Sequence, residues 1–545
     1  MTRVRLETPD GEREFTAAPP DLASPLSEVL ARRGQPLNTR CGGRGLCSGC
    51  EVRVRTGDVR ALRGGPTAAV DGVTRACQVR LPDAGEVVLE LPARSLLRHE
   101  PAVVSEFQVR IPWARDPLLP SARYGAAVDI GTTTVALVLC DLREGNVVAE
   151  ASAFNAQIRH GEDVLTRIQL CSTDRGAVAR LQRAVVAETI QPLLESACTQ
   201  AGIARREVGG MTVAANTTML HLLAGVDPTP MGTHPFTPVF LEHRVLAPAG
   251  LGLAFGGEDA EIHLLPGPAA YVGADLAAGM VATGLGYDEG PVLLVDVGTN
   301  GEIIAKVGER LVGCATAAGP AFEGAGLSCG VRGVRGAIER VRLQGDPYRA
   351  ECEVIGGEGR PIGLCGSAYV DFLWEGRRAG ILGPNGRFTT EFVARAGGAV
   401  VADEWGRKLQ LHPLGASGPV WVSEVDVARL LQAKAAIAAG ISTLLGLIGT
   451  EPARVRRVYL AGGFGLHLSL EHAIGCGLLP GFVPEQIEVV GNTSLGGAFL
   501  VLNDRSLLRE MAALCRRMEA VELNLQPGFE DTYIDHLSLS LTPDG

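Results

Sequence analysis

An α/β protein of about three or four structural units is predicted, on three observations. Residues 292–304, Val-Leu-Leu-Val-Asp-Val-Gly-Thr-Asn-Gly-Glu-Ile-Ile, run apolar and β-favouring into an acidic-glycine-threonine turn and out again. They read as a buried strand, a tight turn and a second strand. Residues 127–135, Ala-Val-Asp-Ile-Gly-Thr-Thr-Thr-Val, repeat the pattern upstream. From Tyr124 onward long apolar strands alternate with Ala/Leu-rich helical stretches, whereas the first 92 residues are short-stranded and carry closely spaced cysteines.

Composition narrows the partners. With 545 residues, 46% hydrophobic and 20% charged, the chain has room for several cores. A formal net charge of −11 and the lack of a long basic stretch exclude a general nucleic-acid binder, so proteins and small molecules are the expected partners. The start lacks the apolar core of a signal peptide, and Ala435 to Gly449 is too short and too broken by Gly and Ser to span a bilayer. No membrane association and a cytoplasmic location are expected. Thirteen cysteines is an odd number, and four fall in a spacing that a secreted disulfide framework would not explain. Metal binding is the better reading.

In chain order, residues 2–7 and 12–16 read as a hairpin around Pro9-Asp10-Gly11, and Pro25 to Arg33 as a helix capped by Ser24. Cys41, Cys47 and Cys50 follow, then the alternating strand Glu51 to Arg55 and, later, Cys77, giving C-x5-C-x2-C…C. Four thiolates satisfy the two irons of a [2Fe-2S] cluster, and Gly42, Gly43, Gly45 and Gly49 let the loop wrap it and aim amides at the sulfurs. Zinc is the rival, but structural zinc sites present paired knuckles and Cys77 has no near partner. Pro92 closes this unit, and residues 93–124, with Pro101, Pro112, Pro117 and Pro120, read as a linker.

The two acidic-glycine-threonine turns suit phosphate. Gly298 lets backbone approach a ligand, the neighbouring amides and the Thr299 hydroxyl can donate to phosphate oxygens, and Asp296 can hold Mg²⁺ through water. Asn300 completes that turn, and Asp129, Gly131, Thr132 and Thr133 repeat the set upstream. One such turn is common in purely structural settings; its repetition carries the argument. Asn155 to Leu165 leads into a helix that runs, with a break near Asp174, toward Ala201. Val213 to Leu223 is a strand, then Asn216-Thr217-Thr218, then a helix, the shape of a ligand-collecting strand end. Ala269 to Ala282 reads as a helix, and 317–333 as a glycine-dense loop that holds something. Val425 to Gly446 reads as a long amphipathic helix feeding the strand Arg457 to Leu460. There Gly462, Gly463 and Phe464 form a turn against which a flat base and ribose can lie. Gly491 to Gly497 starts another helix, and 522–545 reads as one or two strands.

These motifs carry a resemblance. Two Asp-x-Gly-Thr turns followed by Leu-Ala-Gly-Gly-Phe-Gly resemble the phosphate-1, phosphate-2 and adenosine motifs of the ASKHA superfamily, which unites acetate kinase, sugar kinases, heat-shock chaperone ATPases and actin. Residues 1–92 resemble a β-grasp-like ferredoxin domain of the adrenodoxin-like spacing class. Together, and with Asn216-Thr-Thr-Met-Leu-His-Leu-Leu and Cys365-Gly-Ser-Ala-Tyr, the chain is similar to the reductive activators of corrinoid proteins. The resemblance implies a [2Fe-2S] domain at 1–92, a linker at 93–124 and ATPase halves at 125–290 and 291–545. ATP and Mg²⁺ would sit between the halves. It also implies ATP-dependent reduction of Co(II) to Co(I) on a corrinoid methyl-carrier protein, with a low-potential electron donor, within a methyltransferase system. Asp129 and Asp296 would organise Mg-ATP, and Glu323 to Arg332 would face the corrinoid with Ser328 nearest the cobalt and Cys329 the competing ligand. Where the family pattern has Ala-His-Ile-Ser and Gly-Met-Arg-Ala, this chain has 325–328 Ala-Gly-Leu-Ser and 330–333 Gly-Val-Arg-Gly. The extra middle domain of some members is expected to be absent, and a homodimer through the ATPase domain is a further expectation.

Physical chemistry makes the combination coherent. Each ~59 mV of uphill one-electron transfer costs about 1.4 kcal/mol, so a cluster alone would leave little cobalt reduced at very low potential. ATP-driven conformational change or altered cobalt ligation can offset that gap. The rivals are an ASKHA-fold small-molecule kinase with a fused ferredoxin domain, which would need no electrons, and a redox-sensing nucleotide-binding regulator.

Overall fold

The computed structural model describes residues 2–8, 11–37, 39, 43, 45, 50–62, 72–92, 95–96, 107–298, 300–357, 359–403, 406–416, 418–463 and 465–540. The N-terminal unit is a mixed five-stranded sheet ordered Gly11–Thr16, Thr2–Thr8, Gly85–Glu90, Glu51–Thr56, Gly72–Arg75. Its central pair, Thr2–Thr8 and Gly85–Glu90, is parallel and its other pairs are antiparallel. Alternation along these strands sends Val4, Leu6, Val52, Val54, Val87 and Leu89 into one core, which the helix Leu26–Arg32 closes with Leu26, Val29 and Leu30. Ser24 does not cap that helix. Pro25 stands at its N-cap, while Ser24 Oγ donates to the Pro20 carbonyl at 2.9 Å and closes the short helix Pro19–Ala23 before it.

Two further sheets repeat one arrangement. In the first, Tyr124–Ile130 pairs antiparallel with Thr134–Asp141, which pairs with Asn146–Phe154, and parallel with Val208–Ala215 on its other side. In the second, Val292–Val297 pairs antiparallel with Gly301–Val307, which pairs with Arg310–Thr316, and parallel with Arg457–Ala461. Each phosphate turn therefore leaves the end of a central strand, beside a parallel neighbour whose end also opens to ligand. The duplication seen in the motifs is a duplication of the fold.

One helix of the second half crosses back. Thr493–Asn503 follows Ile487–Gly491 of the second sheet, yet its Leu495, Ala498, Leu500 and Leu502 pack in the core of the first, against the helix Ala274–Thr283. Residues 107–123 lie along this helix. Phe107 and Trp113 meet Phe499 at ring-centroid distances of 5.2 and 5.9 Å, and the Leu118 amide donates to the Leu502 carbonyl at 2.9 Å. The second part of the stretch read as a linker is thus a docked strap, and Tyr124 already belongs to a strand.

Three sequence readings are corrected. The helix Glu424–Leu447 is not amphipathic: it is long and apolar enough to cross a membrane, and 72% of its most apolar window is buried in the second core. Its charges are met inside the protein, Glu424 accepting from the Phe388 amide at 3.0 Å and Lys434 Nζ donating to the Ser538 carbonyl at 2.9 Å. The helix read as Ala269 to Ala282 starts only at Ala274. Residues 522–540 form the turn Leu523–Leu525 and the helix Phe529–His536 rather than strands.

Candidate nucleotide cleft and cysteine loop

The two phosphate turns face each other across a cleft of about 250 Å³. Asp129, Gly131, Thr132, Thr133 and Asn216 line it from the first sheet, and Asp296, Gly298 and Asn300 from the second. Gly462 and Gly463 close the far wall. Gly462, at φ +93°, sits so near the second phosphate strand that a Cβ there would lie 2.7 Å from the Val297 carbonyl oxygen. Its glycine identity is required by that approach as well as by φ. Thr299 and Phe464 lie outside the described residues. Among the described residues the structure therefore gathers the nucleotide-site residues read from sequence into one place, and Ser328 and the cluster cysteines lie outside it.

Among the members of the cleft that sequence reading missed are four polar ones. Asp275, at the start of the helix Ala274–Thr283, and Glu302, on the return strand of the second hairpin, line it together with Asn492 and Ser494. Asn492 Nδ2 and Ser494 Oγ donate to the two oxygens of Asp129 at 2.9 and 2.7 Å, from a segment 363 residues downstream. Burial raises the Asp129 carboxyl, and those two hydrogen bonds oppose the rise. Burial, with Asp129 adding repulsion, lifts Asp275 to about 7; burial, then Asp275 and Asp129, lift Asp296 to about 7. Glu302 is pushed well above the usual carboxylate range by burial and by Asp275 and Asp296. With Glu323 five carboxyls line the cleft, and Asp129, Asp275, Asp296 and Glu302 form no ion pair with a Lys or Arg among the described residues. Among the described residues no three His, Cys, Asp or Glu side chains stand close enough to hold a metal ion directly, so a divalent cation here would be met through its water shell.

The loop after the second phosphate hairpin spans the cleft. Thr133 Oγ1 donates to Glu323 Oε2 at 3.0 Å, and the Arg332 guanidinium lies 4.7 Å from the Phe154 ring centroid. Between these ends the loop closes on itself: a Cβ at Gly330 would fall 2.0 Å from the Gly324 carbonyl oxygen, so these glycines serve the loop's own turn. Ser328 is exposed at its crest. The Ser328 amide and hydroxyl donate to Asp426 Oδ1 at 2.7 and 3.1 Å, and Asp426 Oδ2 accepts from Ser423 in a capping box on the long buried helix.

In the N-terminal unit, Cys50 and Cys77 are buried, the latter in the turn Ala76–Gln78. Cys41 and Cys47 lie outside the described residues. Gln78 Nε2 donates to the Gly43 carbonyl at 2.6 Å and to Cys77 Sγ at 3.4 Å, binding one side of the cysteine loop to the last ligand position. Two buried thiols with an amide donor on one sulfur fit a cluster site.

Fold and site define a class: an iron-sulfur domain joined to a duplicated α/β ATPase. Residues 7–82 match the family model for the 2Fe-2S iron-sulfur cluster binding domain. Residues 124–288 match the RACo middle region, and 290–544 the C-terminal domain of RACo, the ASKHA domain. The chain belongs to the RACo family of reductive activators of corrinoid proteins. The family's middle region is thus present, as the segment read from sequence as the first ATPase half. The chain is 28% identical to the corrinoid activation enzyme RamQ of Eubacterium limosum, over 93% of this chain and 95% of that one. It is 29% identical to the [Co(II) methylated amine-specific corrinoid protein] reductase of Methanosarcina barkeri, over 49% of each. A solved structure titled reductive activator for corrinoid, iron-sulfur protein superposes with a TM-score of 0.70 at 28% identity, covering 99% of both chains.

Proposed function

We propose that this protein is an ATP-driven reductase that passes one electron through a [2Fe-2S] cluster to the Co(II) of a corrinoid methyl-carrier protein, giving Co(I). The observation that carries the reading is the 323–332 loop, which is held at both ends in the nucleotide cleft and exposes Ser328 between them. A loop so placed can pass nucleotide state to a partner's surface. Cys41, Cys47, Cys50 and Cys77 hold the cluster, which supplies single electrons at low potential.

Asp129, fixed by Asn492 and Ser494, and Asp296 hold Mg²⁺ and orient the attacking water, with Asp275 and Glu302 behind them. Thr132, Thr133 and Thr299 donate to the phosphates, with Gly131, Gly298 and Asn300 shaping the turns. Gly462, Gly463 and Phe464 form the nucleoside wall. Ser328 stands nearest the cobalt. Its hydroxyl proton is held by Asp426, which makes the oxygen a better donor to a metal, and axial ligation is a principal lever on a macrocycle metal's potential. The reading requires a low-potential electron donor and a cytoplasmic setting.

The test is a mixture of the reduced protein, the Co(II) corrinoid protein and ATP, followed by the Co(II) EPR signal. Wild-type protein with ATP should bleach it, and Asp296→Ala should not, although its cluster still reduces. Bleaching at the wild-type rate by Asp296→Ala would refute the coupling. An unshifted wild-type response in Ser328→Ala would remove Ser328 from the mechanism.

A further inference from the structure

The stretch from Asn155 to Arg167 has no part in the reading above, yet it lies directly behind the first phosphate turn. Asn155, Gln157 and Arg167 are each wholly buried. Asn155 Nδ2 donates to the Gly131 carbonyl at 2.9 Å, an Arg167 terminal nitrogen donates to the Thr132 carbonyl, and the Asn155 amide donates to the Thr133 carbonyl at 2.9 Å. Three successive carbonyls of one turn are drawn to the same side.

In a planar trans peptide the N–H of the next residue points opposite the carbonyl. Holding the carbonyls of 131–133 from behind therefore turns the amides of Thr132, Thr133 and Thr134 the other way, and all three residues line the cleft. Successive amides facing one way make an anion-binding concavity.

Arg167 adds charge. Its remaining donors go to neutral acceptors, Gln157 Oε1 at 2.9 Å and the Gly161 carbonyl at 3.0 Å, and it forms no ion pair among the described residues. The Asp163 carboxylate favours the charge from beyond ion-pair range. A wholly buried cation hydrogen-bonded only to neutral groups is still costly, and an anion brought near offsets that cost. Burial pulls its pKa down to about 9, so it remains charged at neutral pH.

We propose that Arg167, with Asn155, is a positioning residue of the ATPase, setting the first phosphate turn for the terminal phosphates of ATP and lending them positive charge through the Thr132 peptide. The inference rests on the nucleotide reading above. It predicts a signature that a merely structural bracket lacks: the loss falls on phosphates and spares the nucleoside.

Calorimetric titration of the full chain with ATP and with adenosine tests it. Arg167→Met is expected to weaken ATP about tenfold or more, the scale of one charge-assisted hydrogen bond, while adenosine binds as in wild type. Arg167→Lys, which keeps the charge, recovers part of the loss. Wild-type ATP affinity in folded Arg167→Met, or equal loss for ATP and adenosine, would overturn the proposal. Should Arg167→Met fail to fold, Asn155→Ser, which releases the Gly131 carbonyl, is judged by the same criterion. A wild-type chain that binds adenosine but not ATP overturns the proposal, and one that binds neither overturns the nucleotide reading beneath it.

Discussion

Thr133 and Glu323 are joined across the cleft by a 3.0 Å hydrogen bond, so the first phosphate turn and the loop beyond the second are in direct contact. The acceptor is an acid. An incoming terminal phosphate brings further negative charge to the hydroxyl that Glu323 already occupies, and like charges at that range repel strongly.

Glu323→Gln should therefore bind ATP about threefold to tenfold more tightly while leaving AMP unaffected, because one repulsion is removed. Its reduction of the corrinoid partner should lose part of its dependence on ATP. Titration of both nucleotides checks the first expectation; weaker ATP binding would refute it.

The acid cluster predicts a pH dependence. Asp275 and Asp296 stand at about 7 in the metal-free cleft, above the unfolded carboxylate value, so the folded state holds more protons than the unfolded one between about pH 4 and 7. Stability of the metal-free protein should be full below that window and fall as pH rises through it, by a few kcal/mol in all. Melting curves in EDTA should show the fall, Mg²⁺ should reverse it at pH 8, and Asp275→Asn should flatten it. A flat profile for metal-free wild type would contradict the cluster's protonation.

Phe499 is buried and carries both Phe107 and Trp113. Phe499→Ala should cost about 3–5 kcal/mol, the range for a buried aromatic truncated to alanine. Trp113→Ala should cost less, because Trp113 is only partly buried. Neither should change the visible spectrum of the N-terminal cluster, and a bleached cluster would show that the strap also supports that domain.

Cys77→Ala should abolish stoichiometric iron and sulfide. Gln78→Leu should keep the cluster but lower its midpoint potential by roughly 60 mV, the equivalent of one lost hydrogen bond of about 1.4 kcal/mol to sulfur. Protein-film voltammetry reads the shift. A potential that rises instead would mean the amide does not serve the reduced state.

What could be read in the sequence was local. Asp129, Gly131, Thr132, Asp296 and Gly298 sit in two short patterns whose strand, turn and strand are specified by neighbours in the chain. Cys50 and Cys77 announced themselves by spacing. Asp275, Glu302, Asn492 and Ser494 did not, even though Glu302 sits within 292–304 and Asn492 and Ser494 within the 491–497 turn, because each acquires meaning only when helices and strands from distant segments meet. Glu424–Leu447 was misread because charges in a helix suggest a solvent-facing side. Only the fold shows that the Phe388 amide and the Ser538 carbonyl wait inside for Glu424 and Lys434. The return of Thr493–Asn503 to the first sheet was equally illegible, since an apolar helix does not state which sheet it will cover.

That return has a consequence for synthesis. A ribosome delivers the strands of the first sheet and the helix Ala274–Thr283 long before the helix that covers them. Until Thr493–Asn503 emerges, an apolar face stays open and the Asp129 carboxylate lacks Asn492 and Ser494. Contacts so far apart in sequence form late, and the waiting chain exposes surface that chaperones bind. Nucleotide cannot assist the early stages of folding, because the place where it binds is finished only when almost the whole polypeptide has left the exit tunnel.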